Sequence, residues 1–374
     1  MRPFPSSFTR HLPRSPLPSL AGEAGRLQRF VPPFRFTSFF APEDTLLCAI
    51  ASEAALAEIP GAAATATGSG DRDPLRVVEL TAGSGLVGLR VLELAPAASL
   101  VGIDIDRATP PIASANAERL GLADRARFAR MSVWDQDVVE LLRSERPALL
   151  VCNPPYIPEP SGGSLPVEAG AGADGAAHVR RVIDLAKSSR PAALALSWCS
   201  LSDPAGVVAH AERAGYRLAS LFAVAIADGE YSGSVYRYLR TVPTAFLSEE
   251  PDVVASVAPD GAARFAYLLL AGVFVLQGDA VNGDPAVPSL AAQAVERMVR
   301  DFVRRGPEAL VATSATVAAA PFPVTAWLLD RWDELALRAY LHGALDAPTR
   351  VAPAGVIATS AVPAAPDLGV GAVV

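Results

Sequence analysis

Short apolar runs alternate with amphipathic segments through the middle of the chain. Apolar runs of strand length lie near residues 76–80, 99–104, 126–131, 148–152, 192–198, 217–225 and 234–240. Between them, apolar residues recur at the spacing of helices packed on one face. Strands that alternate with helices are typical of a parallel sheet covered on both sides. We therefore predict an α/β fold with a Rossmann-like, doubly wound, seven-stranded sheet, closed by a hairpin that leaves an antiparallel edge strand.

The pattern changes on both sides of this alternating region. Residues 1–33 carry seven prolines and are predicted to be irregular. The next segment, 34–73, is predicted to contain a helix over Pro42–Glu58 and then a flexible Ala/Thr/Gly-rich loop. The alternating region itself, 74–242, is predicted to be the main α/β domain. The last residues, 346–374, have the low complexity of an irregular tail.

Residues 243–345 form a further region with its own pattern. Leu290–Arg305 and 326–345 have helical spacing of apolar residues, whereas 265–276 is apolar all round and fits a buried helix or strand. We predict a mainly helical C-terminal region. It would pack on the α/β domain, cap whatever that domain binds or form a homodimer.

Composition narrows the class of protein. The chain has 374 residues, of which 51% are hydrophobic, and a net charge of −7. An acidic protein without a block of Lys and Arg is a poor candidate for tight binding to nucleic acid. Cys48, Cys152 and Cys199 are odd in number and widely spaced, as in a cytoplasmic protein. The four histidines lack metal-ligand spacing, and the longest apolar run is too short to cross a bilayer.

A polar motif ends one of the predicted strands. Leu149–Cys152 runs directly into Asn153-Pro154-Pro155-Tyr156. Consecutive prolines fix the backbone, so the Asn153 side chain, the Pro154 carbonyl and the Tyr156 ring are presented rigidly. The two oxygens suit both N–H groups of a planar NH₂, and the ring can cover its face. This favours group transfer onto an amide or aromatic amine nitrogen, with an ordinary strand-end turn as the alternative.

A glycine-rich turn follows an earlier strand. Arg76–Leu80 leads through residues 81–88, which include Gly83 and Gly85, into a helical pattern. Strand, glycine turn and helix is the layout that holds a nucleotide-like cofactor. Asp104, at the end of the next strand, suits ribose hydroxyls. Glu79 would repel a pyrophosphate and attract an amino group, so the combination points to S-adenosylmethionine.

In this order, the motifs resemble those of class I methyltransferases. More narrowly they resemble the HemK-type protein-glutamine methyltransferases and the related amino-methyltransferases of nucleic acids. The resemblance spans about residues 34–242. The segments that carry it are 39–45, 79–85, 101–104, 114–117, 120–122, 153–157, 168–175 and 182–186.

The resemblance implies an N-methyltransferase site. Asn153, Pro154 and Tyr156 would be its catalytic residues, and residues 39–45 would fold over the cofactor. Glu79 would bind the amino group of S-adenosylmethionine, and Asp104 its ribose. The implied cofactor-binding residues are Glu79, Thr81, Gly83, Gly85, Asp104, Ser132, Val133, Trp134 and Asn153.

Two positions depart from the family pattern. Thr81 replaces the first glycine of the cofactor turn, and a β-branched residue restricts the backbone there. Ser132 stands where the family usually has an acidic residue for the adenine amine. Either Asp135 takes that role from a shifted position, or Trp134 stacks on the adenine.

The methyl acceptor stays open at this point. HemK-type enzymes carry a separate N-terminal helical domain, and residues 1–60 are too short and proline-rich to match it. The acceptor would be a protein glutamine amide or a similar nitrogen. A small molecule or peptide in a biosynthetic pathway, and a nucleobase amine, are alternatives. A non-catalytic scaffold that only binds the cofactor is the alternative of another class.

Overall fold

The computed structural model describes residues 17–37, 40–60, 75–277, 289–315 and 321–343. The predicted loop at 61–73 and the predicted tail at 346–374 lie outside these residues, as does the segment 1–16. No described helix combines the length and the apolar character needed to cross a membrane.

One eight-stranded sheet forms the centre of the structure, in the order β3-β2-β1-β4-β5-β7-β6-β8. Strand β7 runs antiparallel to its neighbours β5 and β6, and the remaining pairs are parallel. The strands are β1 Arg76–Leu80, β2 Ser99–Asp104, β3 Ala126–Arg130, β4 Leu149–Cys152, β5 Ala193–Cys199, β6 Tyr216–Ala227, β7 Ala266–Leu276 and β8 Val324–Leu328.

Helices cover both faces of this sheet. The helices are α1 Pro42–Glu58, α2 Leu86–Leu94, α3 Thr109–Leu120, α4 Asp137–Glu145, α5 Ala177–Ser189, α6 Pro204–Arg213, α7 Glu230–Ser234, α8 Tyr236–Leu239, α9 Pro251–Val257, α10 Leu290–Arg305, α11 Pro307–Ala315 and α12 Arg331–Leu341. Two 3-10 helices, Leu20–Phe30 and Ala123–Arg125, complete the set within the described ranges. The predicted doubly wound α/β fold is therefore confirmed, but the sheet has eight strands rather than the predicted seven.

The strand residues alternate between two cores, because successive side chains of a strand point to opposite faces. In β5, Ala193 and Ala195 pack in the core with α1, α2 and α12, whereas Leu194, Leu196 and Trp198 pack with α5, α6 and α10. Burial on both faces explains why the strand sequences are almost continuously apolar.

The predicted closing hairpin is wrong. Residues 234–240 are not a strand; they contain the end of α7 and the short helix α8. The Tyr236 ring stacks on Phe265 at 5.4 Å, and Arg264 donates a hydrogen bond to the Gly233 carbonyl at 2.5 Å. These long-range contacts hold the segment beside the start of β7. The antiparallel strand is β7, which lies inside the sheet rather than at its edge.

The described part of the predicted mainly helical C-terminal region contains helices α9 to α12, but two of its segments are strands of the sheet. The apolar segment 265–276 forms β7, and the segment predicted as one helix over 326–345 divides into β8 and α12. Asp330 stops the strand and caps the helix, since its side chain accepts hydrogen bonds from the backbone N–H groups of Trp332 and Asp333, each at 2.8 Å. Helix α10 lies at Leu290–Arg305, as predicted.

The N-terminal segment also differs from its prediction. Residues predicted to be irregular contain the 3-10 helix Leu20–Phe30, capped by the Ser19 side chain. Leu20, Leu27 and Phe30 are fully buried in the core that also holds α1 and α12. This part of the segment is therefore a component of the fold.

Candidate active site

The predicted site residues lie at the carboxyl ends of four neighbouring strands. In the register of the sheet, Leu80 pairs with Ile103 of β2 and with Cys152 of β4, and Asp104 pairs with Arg130 of β3. The four strands thus end at nearly the same level. This edge, where the strand order reverses between β1 and β4, is where doubly wound sheets bind ligands.

The glycine turn between β1 and α2 is shaped by two left-handed residues. Gly83 has φ +51° and Gly85 has φ +76°. A Cβ on Gly85 would lie 2.9 Å from the Phe128 ring, so a side chain at this position has no room. The Gly83 N–H donates to a carboxylate oxygen of Asp104 at 2.8 Å, which joins the turn to the end of β2. The turn is therefore packed closely against β3 at Gly85 and joined to β2 through Gly83.

Thr81 adopts a left-handed backbone although it is β-branched, with φ +57°. Such a conformation costs an L-residue roughly 1–2 kcal/mol. Its hydroxyl lies 2.5 Å from the Leu80 carbonyl oxygen, 3.0 Å from the Asn153 carbonyl oxygen and 3.3 Å from Cys152 Sγ. The position where the family has glycine thus keeps a glycine-like backbone and gains a polar contact with the neighbouring strand.

Glu79 is a buried carboxyl group in the floor of the turn. It is 4% exposed and accepts a hydrogen bond from the Gly88 N–H at 3.1 Å. Burial raises the pKa of Glu79 to about 8; the Gly88 bond opposes this rise, and the nearby Asp104 adds to it. A bound ammonium group would favour the ionised form, so the position suits a cationic ligand group.

Asp104 is less buried than Glu79, and its carboxylate accepts hydrogen bonds from backbone N–H groups. Its two carboxylate oxygens accept from Gly83 N and Asp106 N at 2.8 and 2.9 Å. Burial is the main influence on the pKa of Asp104 and raises it, while these two bonds lower it. The carboxylate is held in one orientation beside the glycine turn.

Residues after β3 form the far side of the site. Val133 is buried, whereas Trp134 is 53% exposed and meets the His178 ring edge-on at 5.4 Å. The Ser132 N–H donates to the Asp135 carboxylate at 2.9 Å, so one oxygen of Asp135 closes this turn. The indole of Trp134 is exposed, and its stacking on an adenine stays a prediction.

The Asn153 side chain carries an unused acceptor. Its carboxamide oxygen Oδ1 is buried, and no group among the described residues donates to it. Buried polar atoms without a partner are rare in folded proteins and require an explanation. Pro154 is buried, and Pro154 and Pro155 lack N–H groups, so the loop cannot satisfy this oxygen from its own backbone there. The acceptor is available to a ligand donor.

Tyr156 anchors the loop through a residue that sequence reasoning had not assigned to the site. Tyr156 is 7% exposed, and its hydroxyl donates to the Asp44 carboxylate in α1 at 2.5 Å. Burial raises the pKa of Asp44 to about 6, and the Tyr156 bond opposes this rise. Stacking of the ring on an acceptor stays a prediction. The acidic first turn of α1 is the sequence signal that could have pointed to Asp44.

Asn116 is a second residue that sequence reasoning quoted but gave no role. It is fully buried in α3, and its amide accepts from Arg35 N at 2.9 Å and donates to Arg35 O at 2.7 Å and Ser84 O at 3.0 Å. It thus holds the segment that precedes α1 against the glycine turn. The sequence signal for this role is an asparagine on the same helix face as the apolar residues Ala113 and Ala117, because a buried amide needs specific hydrogen-bond partners.

Comparison with known proteins shows which methyltransferases part of the chain resembles. A family model described as "Lysine methyltransferase" matches residues 48–153, from α1 to the start of the Asn153 loop. The ribosomal protein uL3 glutamine methyltransferase of Bordetella pertussis is 30% identical over 123 residues, 30% of this chain. The resemblance to a HemK-type class I methyltransferase is confirmed. The chain spans 40% of the length of that relative.

Solved methyltransferase structures are among those that this chain matches. The E. cuniculi Mtq2–Trm112 complex has 16% identity and a TM-score of 0.32, and the match covers 62% of this chain and 94% of that one. A putative RNA methyltransferase from Pyrococcus horikoshii has 13% identity and a TM-score of 0.34, covering 60% and 84%.

The residues present fit S-adenosylmethionine as the cofactor. A buried carboxyl group faces the turn at Glu79, and a fixed carboxylate stands at Asp104. These groups match an amino group and ribose hydroxyls, respectively.

Proposed function

We propose that the protein is an S-adenosylmethionine-dependent methyltransferase that methylates a planar amide or amine nitrogen, with a protein glutamine amide as its acceptor. The observation that carries the proposal is the buried, unpartnered Oδ1 of Asn153 at the end of β4. An enzyme that selects an NH₂ donor needs such an acceptor in its site and leaves it without a protein partner. Leaving it unpaired in the finished fold costs about 1–3 kcal/mol, which a purely structural turn would avoid.

Two acceptors at fixed positions orient a substrate NH₂. The Asn153 Oδ1 would receive one N–H and the Pro154 carbonyl the other, so the plane of the substrate group and the direction of its lone pair are set by the loop. Bound S-adenosylmethionine supplies an activated methyl group. Holding the nitrogen in line with that methyl is then the main task of the protein.

The same two oxygens stabilise the charge that develops. An amide nitrogen is a poor nucleophile because its lone pair is delocalised, and it becomes positive as it is alkylated. Its two hydrogen bonds strengthen at that point, because the donors become more acidic. The product loses a proton readily to water, so a strong base is not required.

The cofactor is assigned to the groups around the glycine turn. Glu79 would pair with its amino group, Asp104 would accept from its ribose, and Val133 and Trp134 would face its adenine. The buried carboxyl of Glu79, protonated at neutral pH in the absence of a cation, becomes ionised when an ammonium group binds beside it.

The type of acceptor is supported by two further considerations. The relative acts on glutamine of ribosomal protein uL3, as its name states, and the matched family is described as lysine methyltransferase. A lysine amine is a tetrahedral cation that must first lose a proton, whereas a pair of carbonyl-type acceptors is matched to a neutral, flat NH₂. We therefore favour the amide and treat lysine and a nucleobase amine as outcomes of the test.

The test follows methyl transfer from S-adenosylmethionine labelled in its methyl group. Purified ribosomal protein uL3, total ribosomal protein, transfer RNA and a lysine-rich peptide are offered in parallel, and mass spectrometry locates the methylated atom. Transfer to glutamine supports the proposal. Transfer only to lysine or only to RNA would mean that the proposed glutamine acceptor is wrong. If no substrate is methylated and calorimetry detects no cofactor binding, the proposed activity is rejected.

Asn153→Ala provides the matching prediction for the site. We expect the rate of transfer to fall by about 10²–10³-fold, as when one donor or acceptor of a charge-stabilising pair is removed, with cofactor affinity changed by less than about threefold. Gln28→Ala, which removes an exposed carboxamide in the 3-10 helix Leu20–Phe30, is the control and should behave as wild type. Unchanged turnover in Asn153→Ala would contradict the assigned role.

A further inference from the structure

Thr81 lies where the cofactor turn and the Asn153 loop come closest. The parallel ladder between β1 and β4 ends at the pair Leu80 and Cys152. The next residues along the two strands are Thr81 and Asn153. Beyond them the chains diverge, one into the glycine turn and the other into two prolines without N–H groups. Continued backbone pairing is therefore impossible on the proline side.

The Thr81 hydroxyl extends the connection by one residue. It lies 3.0 Å from the Asn153 carbonyl oxygen, within hydrogen-bond distance, and 3.3 Å from Cys152 Sγ. Burial raises the pKa of Cys152, so its thiol keeps its proton and can donate to the hydroxyl oxygen. A hydroxyl can accept one such bond and donate another, which gives a chain from Cys152 through Thr81 to Asn153.

The backbone of Thr81 indicates that this contact is maintained against strain. Its φ of +57° is one that glycine adopts freely and a β-branched residue avoids. A glycine here would form the turn without strain and would have no group to reach Asn153. The Leu80 carbonyl, at 2.5 Å, is a second acceptor for the same proton. It belongs to the preceding residue, so a bond to it does not connect the turn to another segment.

We propose that Thr81 is a positioning residue that fixes the Asn153 loop relative to the cofactor turn. This inference rests on the proposed methyltransferase function. The loop is otherwise held by the Tyr156 hydroxyl on Asp44 and by the backbone bonds of Ile157 with Ala169 and Ala171. These contacts lie on the far side of the prolines, so the carbonyl of Asn153, and with it the direction of its side chain, depends on Thr81.

The test compares Thr81→Ser, Thr81→Val and Thr81→Gly. Ser keeps the hydroxyl, Val keeps the shape and the strain without the hydroxyl, and Gly removes both hydroxyl and strain. Hydrogen–deuterium exchange of the peptide 149–157 reports the loop directly, without any acceptor substrate. We expect the amides of Asn153 and Tyr156 to exchange at least about tenfold faster than in wild type in Thr81→Val and Thr81→Gly. In Thr81→Ser their exchange rates should stay within about threefold of wild type.

Catalysis gives the second measurement. Single-turnover methyl transfer to uL3 should be about 10–100-fold slower in Thr81→Val and Thr81→Gly, because a small misplacement of a reacting group lowers the rate strongly. Thr81→Ser should transfer at the wild-type rate. The affinity for S-adenosylhomocysteine should change by less than about threefold in Gly, which separates loop position from cofactor binding. If Val fails to fold, Ser and Gly carry the comparison. Thr241→Val, which removes an exposed hydroxyl that bonds only to Tyr238 O, is the control.

The two proposals can fail separately. If wild type transfers methyl groups and Thr81→Gly matches it in both exchange and rate, the positioning role is rejected and the function stands. If wild type neither binds the cofactor nor transfers, the function is rejected, while the exchange data still decide whether Thr81 holds the loop. A loss in Ser equal to that in Val would also overturn the role of the hydroxyl.

Discussion

Glu79→Gln tests whether the buried carboxyl group at the glycine turn lowers stability for the sake of ligand binding. Burial raises the pKa of Glu79 from 4.5 to about 8, with the Gly88 bond opposing the rise. Because the folded pKa lies above the unfolded one, the folded state holds the proton more tightly. The resulting stabilisation is complete below pH 4.5 and is lost as the pH rises through about 8.

The size of the effect follows from the two pKa values. Each pKa unit corresponds to about 1.4 kcal/mol. Relative to a carboxyl group that keeps its ordinary pKa, the free energy of unfolding is lower by about 1 kcal/mol at pH 5, about 3 kcal/mol at pH 7 and about 5 kcal/mol at pH 9. A Gln side chain keeps an oxygen for Gly88 N and has no proton to lose. Burial of its NH₂ changes stability by the same amount at every pH.

The measured quantity is therefore how the stability difference between variant and wild type changes with pH. Urea unfolding of both proteins, without cofactor, at pH 5, 7 and 9 gives it directly. We expect the variant to gain about 4 kcal/mol on wild type between pH 5 and pH 9. Contributions from the other buried acids, Glu43 and Asp44, are shared and cancel.

Two further results complete this experiment. Glu140→Gln, an exposed change in α4, should leave the pH dependence of stability as in wild type. Glu79→Gln should bind S-adenosylhomocysteine at least about tenfold more weakly, because the charged partner of the amino group is lost. Parallel stability curves for wild type and Glu79→Gln across this pH range would refute the reasoning.

The remaining predictions concern the two residues that hold other segments against the site. Asn116→Asp removes the donors to Arg35 O and Ser84 O, so we expect the free energy of unfolding to fall by about 3 kcal/mol, measured by urea unfolding; an unchanged midpoint would contradict the role. In wild type, the hydrogen bond from the Tyr156 hydroxyl favours the ionised form of Asp44 and lowers the pKa of Asp44; Tyr156→Phe removes this bond. The variant should therefore lose about 1–2 kcal/mol at pH 8 and less at pH 5, where Asp44 is protonated; equal losses at both pH values, by thermal unfolding, would argue against this account.

Local pattern was sufficient for the parts of the fold that depend on neighbouring residues. The strands before α2, α3 and α5 and the helix Pro42–Glu58 all lie close to their predicted positions, because each combines a periodic apolar pattern with a clear boundary residue. In α1 that boundary is Pro42, at the first helical position, followed by two acidic residues.

The errors lie where distant residues decide the structure. The segment 234–240 has the aromatic and apolar content of a strand, but Phe265 and Arg264 hold it in another conformation. The segment 265–276 is apolar all round, and only its position between β5 and β6 decides that it is a strand. Periodicity alone cannot separate a buried helix from a strand that is covered on both faces.

For the candidate site, sequence reasoning found the strand ends but not the contacts between them. The residue types at Glu79, Asp104 and Asn153 carry their chemistry in the sequence. The hydrogen bonds that join Thr81 to Asn153, Tyr156 to Asp44 and Asn116 to Arg35 connect residues that are 72, 112 and 81 positions apart. Local signals can mark Asp44 and Asn116 as unusual residues, but which residue each one pairs with depends on the folded topology.

Strand β7 has a practical consequence for anyone who trims this protein. A fragment cut after residue 242, at the end of the region that looks like a complete catalytic unit, would lack the strand that joins β5 to β6. Both neighbours would then present open, apolar edges of the kind that drives aggregation. Expression of that fragment should yield insoluble material.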